Sequence, residues 1–135
     1  MSRHPRVIHA VAGIIINDAG KIFVAQRPAH VSYAGLWEFP GGKIEIGETP
    51  LQALTRELHE EIGIKVIHAK HFMNVKYDYP DRFVDLDVWW VENFKDEPYG
   101  AEGQIIDWVT TDVLKTLDFP AANNQIVIAV LNSLL

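Results

Sequence analysis

The chain has 135 residues, 48% hydrophobic and 22% charged, with 9 Gly, 7 Pro and no Cys. That balance excludes disordered, collagen-like and disulfide-stapled classes, and a chain of this length buries roughly 68% of its unfolded surface, so one domain over residues 1–135 is expected. The formal net charge of −6 opposes binding to a nucleic-acid polymer, no apolar run is long enough to cross a bilayer, and Met1-Ser2-Arg3-His4-Pro5-Arg6 does not read as a signal peptide, so a cytoplasmic protein off the membrane is expected.

Residues 7–16, rich in Val, Ile and Ala, and residues 21–26 flank the turn-forming Asn17-Asp18-Ala19-Gly20 and read as a β-hairpin. A loop over residues 27–38, broken by Pro28 and Gly35, leads to Phe39-Pro40-Gly41-Gly42, where two glycines permit backbone geometry closed to other residues. The clearest helix follows. Thr49 is a good N-cap, Pro50 suits the first helical position, Gln52 completes a capping box and Gly63 is placed to end the helix. Leu51, Leu54, Leu58 and Ile62 share one apolar stripe that should pack on a sheet. Residues 65–77 read as extended, and residues 83–92 alternate Val84, Leu86, Val88 and Trp90 with Asp85 and Asp87, a strand pattern, with Tyr79-Pro80-Asp81 as the turn between. Beyond a loop opened by Glu97-Pro98-Tyr99-Gly100, residues 105–110 read as a strand and residues 112–117 as a short helix. The last helix, residues 123–134, carries a stripe of Ile126, Val127, Val130 and Leu134. The sum is a mixed α/β (α+β) domain with helices packed against a central sheet. His4, His9, His30, His59, His68 and His71 lack zinc-like spacing and are expected on the surface or satisfied in the core.

Glu57, Glu60 and Glu61 stand at i, i+3 and i+4, on one helical face beside the apolar stripe. Like charges at that spacing cost about 0.2–0.5 kcal/mol per pair, and anions near a helix C-terminus also oppose its dipole, so local stability does not explain them. A hard divalent cation does, because Mg²⁺ takes oxygen ligands and leaves positions for water and phosphate. The alternative is a solvated acidic face.

Gly42, Glu48, Arg56-Glu57-Leu58, Glu60-Glu61 and Gly63-Ile64, at their spacing over residues 42–64, reproduce the signature of the Nudix hydrolases. That resemblance implies a Nudix fold, a mixed sheet sandwiched between helices, and hydrolysis of nucleoside diphosphates linked to another moiety. It makes Glu57, Glu60 and Glu61 metal ligands or water-activating carboxylates and lets Glu48 shape the site. Arg56 orients a carboxylate, or else is an ordinary surface charge pair, and a main-chain carbonyl at Gly41 or Gly42 reaches the metal. Metal-held water is then the nucleophile, with Mg²⁺, or Mn²⁺ in its place, neutralising phosphoryl charge. Glu57 is the first choice for proton acceptor and Glu102 the second.

Phe39-Pro40-Gly41-Gly42-Lys43-Ile44-Glu45, Tyr79-Pro80-Asp81-Arg82, residues 97–104 and Asp118-Phe119-Pro120-Ala121-Ala122-Asn123 resemble, in order, the MutT-type 8-oxo-dGTP diphosphatases of that family. Those enzymes cleave the oxidised triphosphate to monophosphate and pyrophosphate by attack of water at the β-phosphorus, sanitising the nucleotide pool for DNA replication. The resemblance makes Glu102 a further metal ligand rather than an exposed loop acid. It makes Asn123 the reader of the N1–H and O6 edge of a 6-oxopurine rather than a helix cap, and Arg27 and Arg82 nucleotide contacts rather than surface arginines. Discrimination of 8-oxoguanine from guanine needs an acceptor for N7–H, which the resemblance assigns to a backbone carbonyl near Phe39. The likeness thins over residues 28–37 and 65–76, and Ala101 stands where a basic residue would be unsurprising, so substrate breadth stays open. The expected partner is a small-molecule nucleotide held by a monomer. Rivals are a pyrophosphohydrolase of other (d)NTPs or nucleoside diphosphate derivatives, and a catalytically silent nucleotide-binding module.

Overall fold

A computed structural model describes residues 6–28 and 34–134; His4, His30 and part of the 27–38 loop lie outside them. In chain order the elements are β1 (Val7–Ile15), β2 (Ile22–Gln26), β3 (Trp37–Glu38), β4 (Gly41–Lys43), α1 (Pro50–Ile62), β5 (Lys65–Tyr79), β6 (Arg82–Lys95), β7 (Ile106–Val109), α2 (Thr111–Leu114) and α3 (Ala121–Ser133). A four-stranded mixed sheet runs β4-β1-β6-β5, with β1 and β6 parallel and the other pairs antiparallel. A three-stranded antiparallel sheet runs β3-β2-β7.

Two sheets therefore stand where one central sheet was expected, and the expected hairpin of residues 7–26 does not form. The turn itself is made, with Asn17 Oδ1 accepting the amides of Ala19 and Lys21 at 3.0 and 2.9 Å. Across it only Ile16 and Ile22 bridge. The reason is burial on both faces of β1. Val11 and Ile15 pack with Leu54, Leu58, Ile62 and Phe23, while Ala12 and Ile14 pack with Val88, Ile126 and Val130. A strand that is apolar on both sides belongs inside a covered sheet, and β1 takes β4 and β6 as neighbours while β2 departs to a second sheet.

The capping expectations for α1 hold. Thr49 Oγ1 accepts the Gln52 amide, the Gln52 side chain accepts the Thr49 amide, and Gly63 closes the helix at φ 73. Leu54, Leu58 and Ile62 are fully buried, but Leu51 is 41% exposed. It precedes the point where the helix meets the sheet, marked by Leu54 and Leu58 lying against Gly13. On α3, likewise, Ile126 and Val130 are buried and Val127 half-buried, whereas Leu134 lies past the helix end and is exposed. That helix begins at Ala121 with Pro120 in the cap position, and α2 stops at Leu114, short of the 112–117 expected. Residues 37–38, read as loop, form β3. The hairpin β5–β6 turns at Pro80-Asp81 as read, although both strands run longer. His9, His59, His68 and His71 are all exposed.

Candidate active site

The site is built where α1 crosses β4. The β-carbon of any other residue at position 42 would collide with the Glu57 carboxylate, so glycine there lets strand and acid meet. Arg56, nearly two turns from the helix start, gathers the surrounding acids. Its Nε and Nη2 donate to the two Glu48 oxygens at 2.7 and 2.9 Å, and its Nη1 donates to Glu57 at 2.7 Å and Glu60 at 3.3 Å. The planar fork thus grips Glu48, and Glu57 is reached by a single arm. Those bonds, joined by the Glu45 amide, hold the Glu48 carboxyl down to about 2, so it stays an anion that anchors Arg56. Glu48 shapes the site through Arg56.

Glu61 is the unusual group. It is buried, at 8% exposure, and its carboxyl is pushed up to about 9, first by burial and then by the negative charges of Glu38, Glu102 and Glu57. The Gly41 amide hydrogen-bonds it, and no cation pairs with it among the described residues. Burial also raises Glu57 against the pull of Arg56, and raises Glu38 against the pull of Arg27, whose Nη1 lies 2.7 Å away. Glu60, by contrast, is more than half exposed. The three glutamates of the helix face stand at three depths.

Glu102 arrives from the segment before β7. Gln104 holds that segment, its Nε2 donating to the Glu61 carbonyl at 2.8 Å and its Oε1 accepting the Glu102 amide at 2.9 Å. The Tyr99 and Ala101 amides bond the Ile62 and Glu61 carbonyls, so the orphan end of α1 is capped by the loop that presents Glu102. Glu102 is exposed, yet its charge bears on Glu38, Glu57 and Glu61.

A cavity of about 330 Å³ adjoins this acidic ledge. Arg27, Phe39, Arg82, Asn123 and Gly41 all line it, together with Glu38, Gly42 and Tyr79. Glu57, Glu60 and Glu61 do not line it; Glu57 lies against Gly42 and Glu61 is bonded by the Gly41 amide, both in its wall, and Glu102 lines a neighbouring cavity that shares Arg27. The volume suits a small organic ligand. Phe39 stacks on Phe119 at 5.1 Å, and the Arg82 guanidinium lies over the Tyr79 ring at 5.4 Å. Asn123 is in the first turn of α3 and does not cap it, since Pro120 holds that position without a side-chain cap; the capping alternative is overturned.

Among the described residues, no three Asp, Glu or His side chains converge into a ready ion cage. Glu57 and Glu60 are drawn to Arg56 instead. The donor set still fits a hard cation. It is all oxygen, it includes a buried acid with no cationic partner among the described residues, and Mg²⁺ ordinarily keeps waters and substrate phosphates rather than a full protein cage. Sequence reasoning missed Glu38 and Gln104 as members of the site. Their signal is tertiary, for Glu38 sits on a strand read as loop, and Gln104 acts through main-chain atoms of another element.

The mixed sheet covered by helices on both faces and the acid-bearing helix beside a Gly-Gly strand define the class: the chain belongs to the Nudix family, the NUDIX domain matching residues 11–129. Among its relatives, the 8-oxo-dGTP diphosphatase of Escherichia coli K12 is 44% identical over 120 residues, 89% of this chain and 93% of that one. The CTP pyrophosphohydrolase of the same organism is 39% identical over 117 residues, covering 87% and 84%. A solved MutT structure, from work on the Aliivibrio salmonicida and Vibrio cholerae proteins, superposes with a TM-score of 0.83 at 42% identity, covering 95% of this chain and 99% of that one.

Proposed function

We propose that this chain hydrolyses oxidised purine nucleoside triphosphates, converting 8-oxo-dGTP to 8-oxo-dGMP and pyrophosphate and so clearing a miscoding precursor from the nucleotide pool. The observation that carries this reading is the placement of Arg27, Phe39, Arg82 and Asn123, distant in sequence, around one cavity whose glycine wall backs onto the carboxylates. The relatives named 8-oxo-dGTP diphosphatase support it.

Glu57, Glu60, Glu61, Glu102 and the main-chain carbonyl of Gly41 are the groups that would hold a divalent cation, Mg²⁺ by preference and Mn²⁺ as a substitute. When bound, it neutralises charge on phosphoryl oxygens and acidifies coordinated water. Glu57 is the first choice to take the proton of the attacking water and Glu102 the second, both within the acidic cluster and both facing solvent enough to pass the proton on. The water oxygen bonds to the β-phosphorus as the bond from that phosphorus to the bridging oxygen breaks, and the monophosphate leaves with the bridging oxygen. Arg27 and Arg82 contact the nucleotide, Asn123 reads the purine edge, and a backbone carbonyl near Phe39 accepts the N7–H found only on the oxidised base. The working unit is a monomeric single domain in the cytoplasm, where free deoxynucleotides are met.

The similarity to a CTP pyrophosphohydrolase favours a second reading, the same chemistry on another nucleoside triphosphate. A substrate panel with Mg²⁺ separates the two. The first reading expects kcat/KM for 8-oxo-dGTP to exceed that for dGTP by roughly 10⁴-fold or more, because guanine leaves a buried acceptor facing its N7 lone pair. Equal turnover of the two discards it, and preference for CTP establishes the second.

A further inference from the structure

The first turn of α3 carries Asn123, yet the sequence supplies that helix with no cap of its own. Pro120 occupies the cap position and has no side-chain donor or acceptor, and no acidic residue stands in the first turn. A helix start leaves backbone amides without partners inside the helix, and a buried amide left in that state is costly. The Asn123 amide closes on the Pro120 carbonyl at 2.9 Å. The Ala122 amide, on a buried residue, is taken by the Tyr79 hydroxyl at 2.8 Å, a bond between the end of β5 and the start of α3.

Tyr79 is itself buried, lines the same cavity as Asn123, and carries the Arg82 guanidinium over its ring and Tyr77 against it at 4.6 Å. One side chain therefore touches the β5–β6 end, which supplies Arg82, and the helix start, which supplies Asn123. We infer that Tyr79 is a specificity-determining positioning residue: through the Ala122 amide its hydroxyl fixes where the first turn of α3 sits, and so where the Asn123 amide meets the base. This rests on the reading of Asn123 as the purine-contacting residue. A displacement far below the length of a hydrogen bond is enough to spoil a two-point match to a base edge, since such bonds weaken steeply once misaligned. The ring alone would suffice to fill the space and to stack on Arg82; the hydrogen bond to α3 needs the hydroxyl.

The test is Tyr79→Phe in the full chain, which keeps the ring and deletes the bond. A net hydrogen-bond contribution corresponds to about 2–10-fold in an equilibrium. The expected result is a loss of that size in the ratio of kcat/KM for 8-oxo-dGTP over 8-oxo-dATP, two nucleotides that share the N7–H and differ at the edge Asn123 reads, expressed as a higher KM for 8-oxo-dGTP without a matching fall in kcat. Amide hydrogen exchange at Ala122 should quicken by a similar factor. In an Asn123→Ala background the same change should leave the ratio where Asn123→Ala put it. If Asn123→Ala lowers the ratio and Tyr79→Phe lowers only the melting temperature, or if exchange at Ala122 is unchanged, the inference is overturned while the base-reading role stands. If Asn123→Ala itself leaves the ratio intact, the underlying reading fails first and takes this one with it.

Discussion

The two halves of the site are made in opposite ways. The acidic ledge comes mostly from one stretch, residues 42–64, in which a glycine strand, a capped helix and its acids follow one another directly, with Glu38 and Glu102 added from elsewhere in the chain. The cavity beside it is collected from the end of β2, the segment between β3 and β4, the β5–β6 turn and the start of α3. The ledge is overloaded with carboxylates that raise one another's proton affinity, whereas the cavity mixes two arginines, aromatic rings and an amide. Most of the charge that must bind a cation and split an anhydride can be encoded locally, because helical spacing sets Glu57, Glu60 and Glu61 on one face, and the fold adds Glu38 and Glu102. Selectivity for a base needs donors and acceptors on several sides of one object, and no single segment surrounds it.

Breaking the ledge should therefore abolish turnover while leaving the cavity able to bind, and the largest effect is expected at Glu57. Glu57→Gln should reduce kcat by roughly 10²–10⁴-fold, the range of a lost general base, with little change in melting temperature; unchanged kcat in steady-state assays would remove Glu57 from both its assigned roles. Breaking the cavity should do the converse. Asn123→Ala should lower the preference for 8-oxo-dGTP over 8-oxo-dATP, which differ at the edge it reads, by roughly 10–10²-fold, as two hydrogen bonds to the base are lost, with kcat for the preferred triphosphate kept to a much greater degree.

A third expectation sharpens the electrostatic side of the contrast. In the metal-free protein Glu61 keeps its proton up to about pH 9, while the unfolded chain ionises it near the ordinary value of 4.5. The folded state binds the extra proton across that window, so stability is greatest below it and falls as pH rises through it. Thermal melts in chelator should show the melting temperature dropping by several degrees over the window, roughly what a few kcal/mol produces at this size. Glu61→Gln, already neutral, should flatten that slope, and added Mg²⁺ should raise the melting temperature of the parent chain at pH 8 but raise that of the variant far less. The smallest effect belongs to the exposed leucine. Leu51→Ala should cost under about 1 kcal/mol in denaturant unfolding against about 2–5 kcal/mol for the fully buried Leu58→Ala.

Much of the ledge was legible in advance because its signals are short-range. Thr49, Pro50, Gln52 and Gly63 act within one or two helical turns, and the structure places each as its chemistry requires. The larger misreadings are non-local. Asn17-Asp18-Ala19-Gly20 does form a turn, but which strands pair beyond it depends on neighbours far along the chain, and β6 outcompetes β2 for β1. Leu51 has the right spacing for the stripe and the wrong position along the helix. Asn123 sits where a cap would be plausible until Pro120 is found there instead.

Local spacing and side-chain chemistry settled on their own the acid-bearing helix, its caps, its glycine partner strand and membership of the family, because each depends on contacts within a few residues. Only the folded chain decided that Glu61 is buried among Glu38, Glu57 and Glu102, that the Arg56 fork closes on Glu48, and that Tyr79 meets Ala122. Burial, charge repulsion and a hydrogen bond between elements more than forty residues apart are properties of distances in space, which a linear order of residues does not contain.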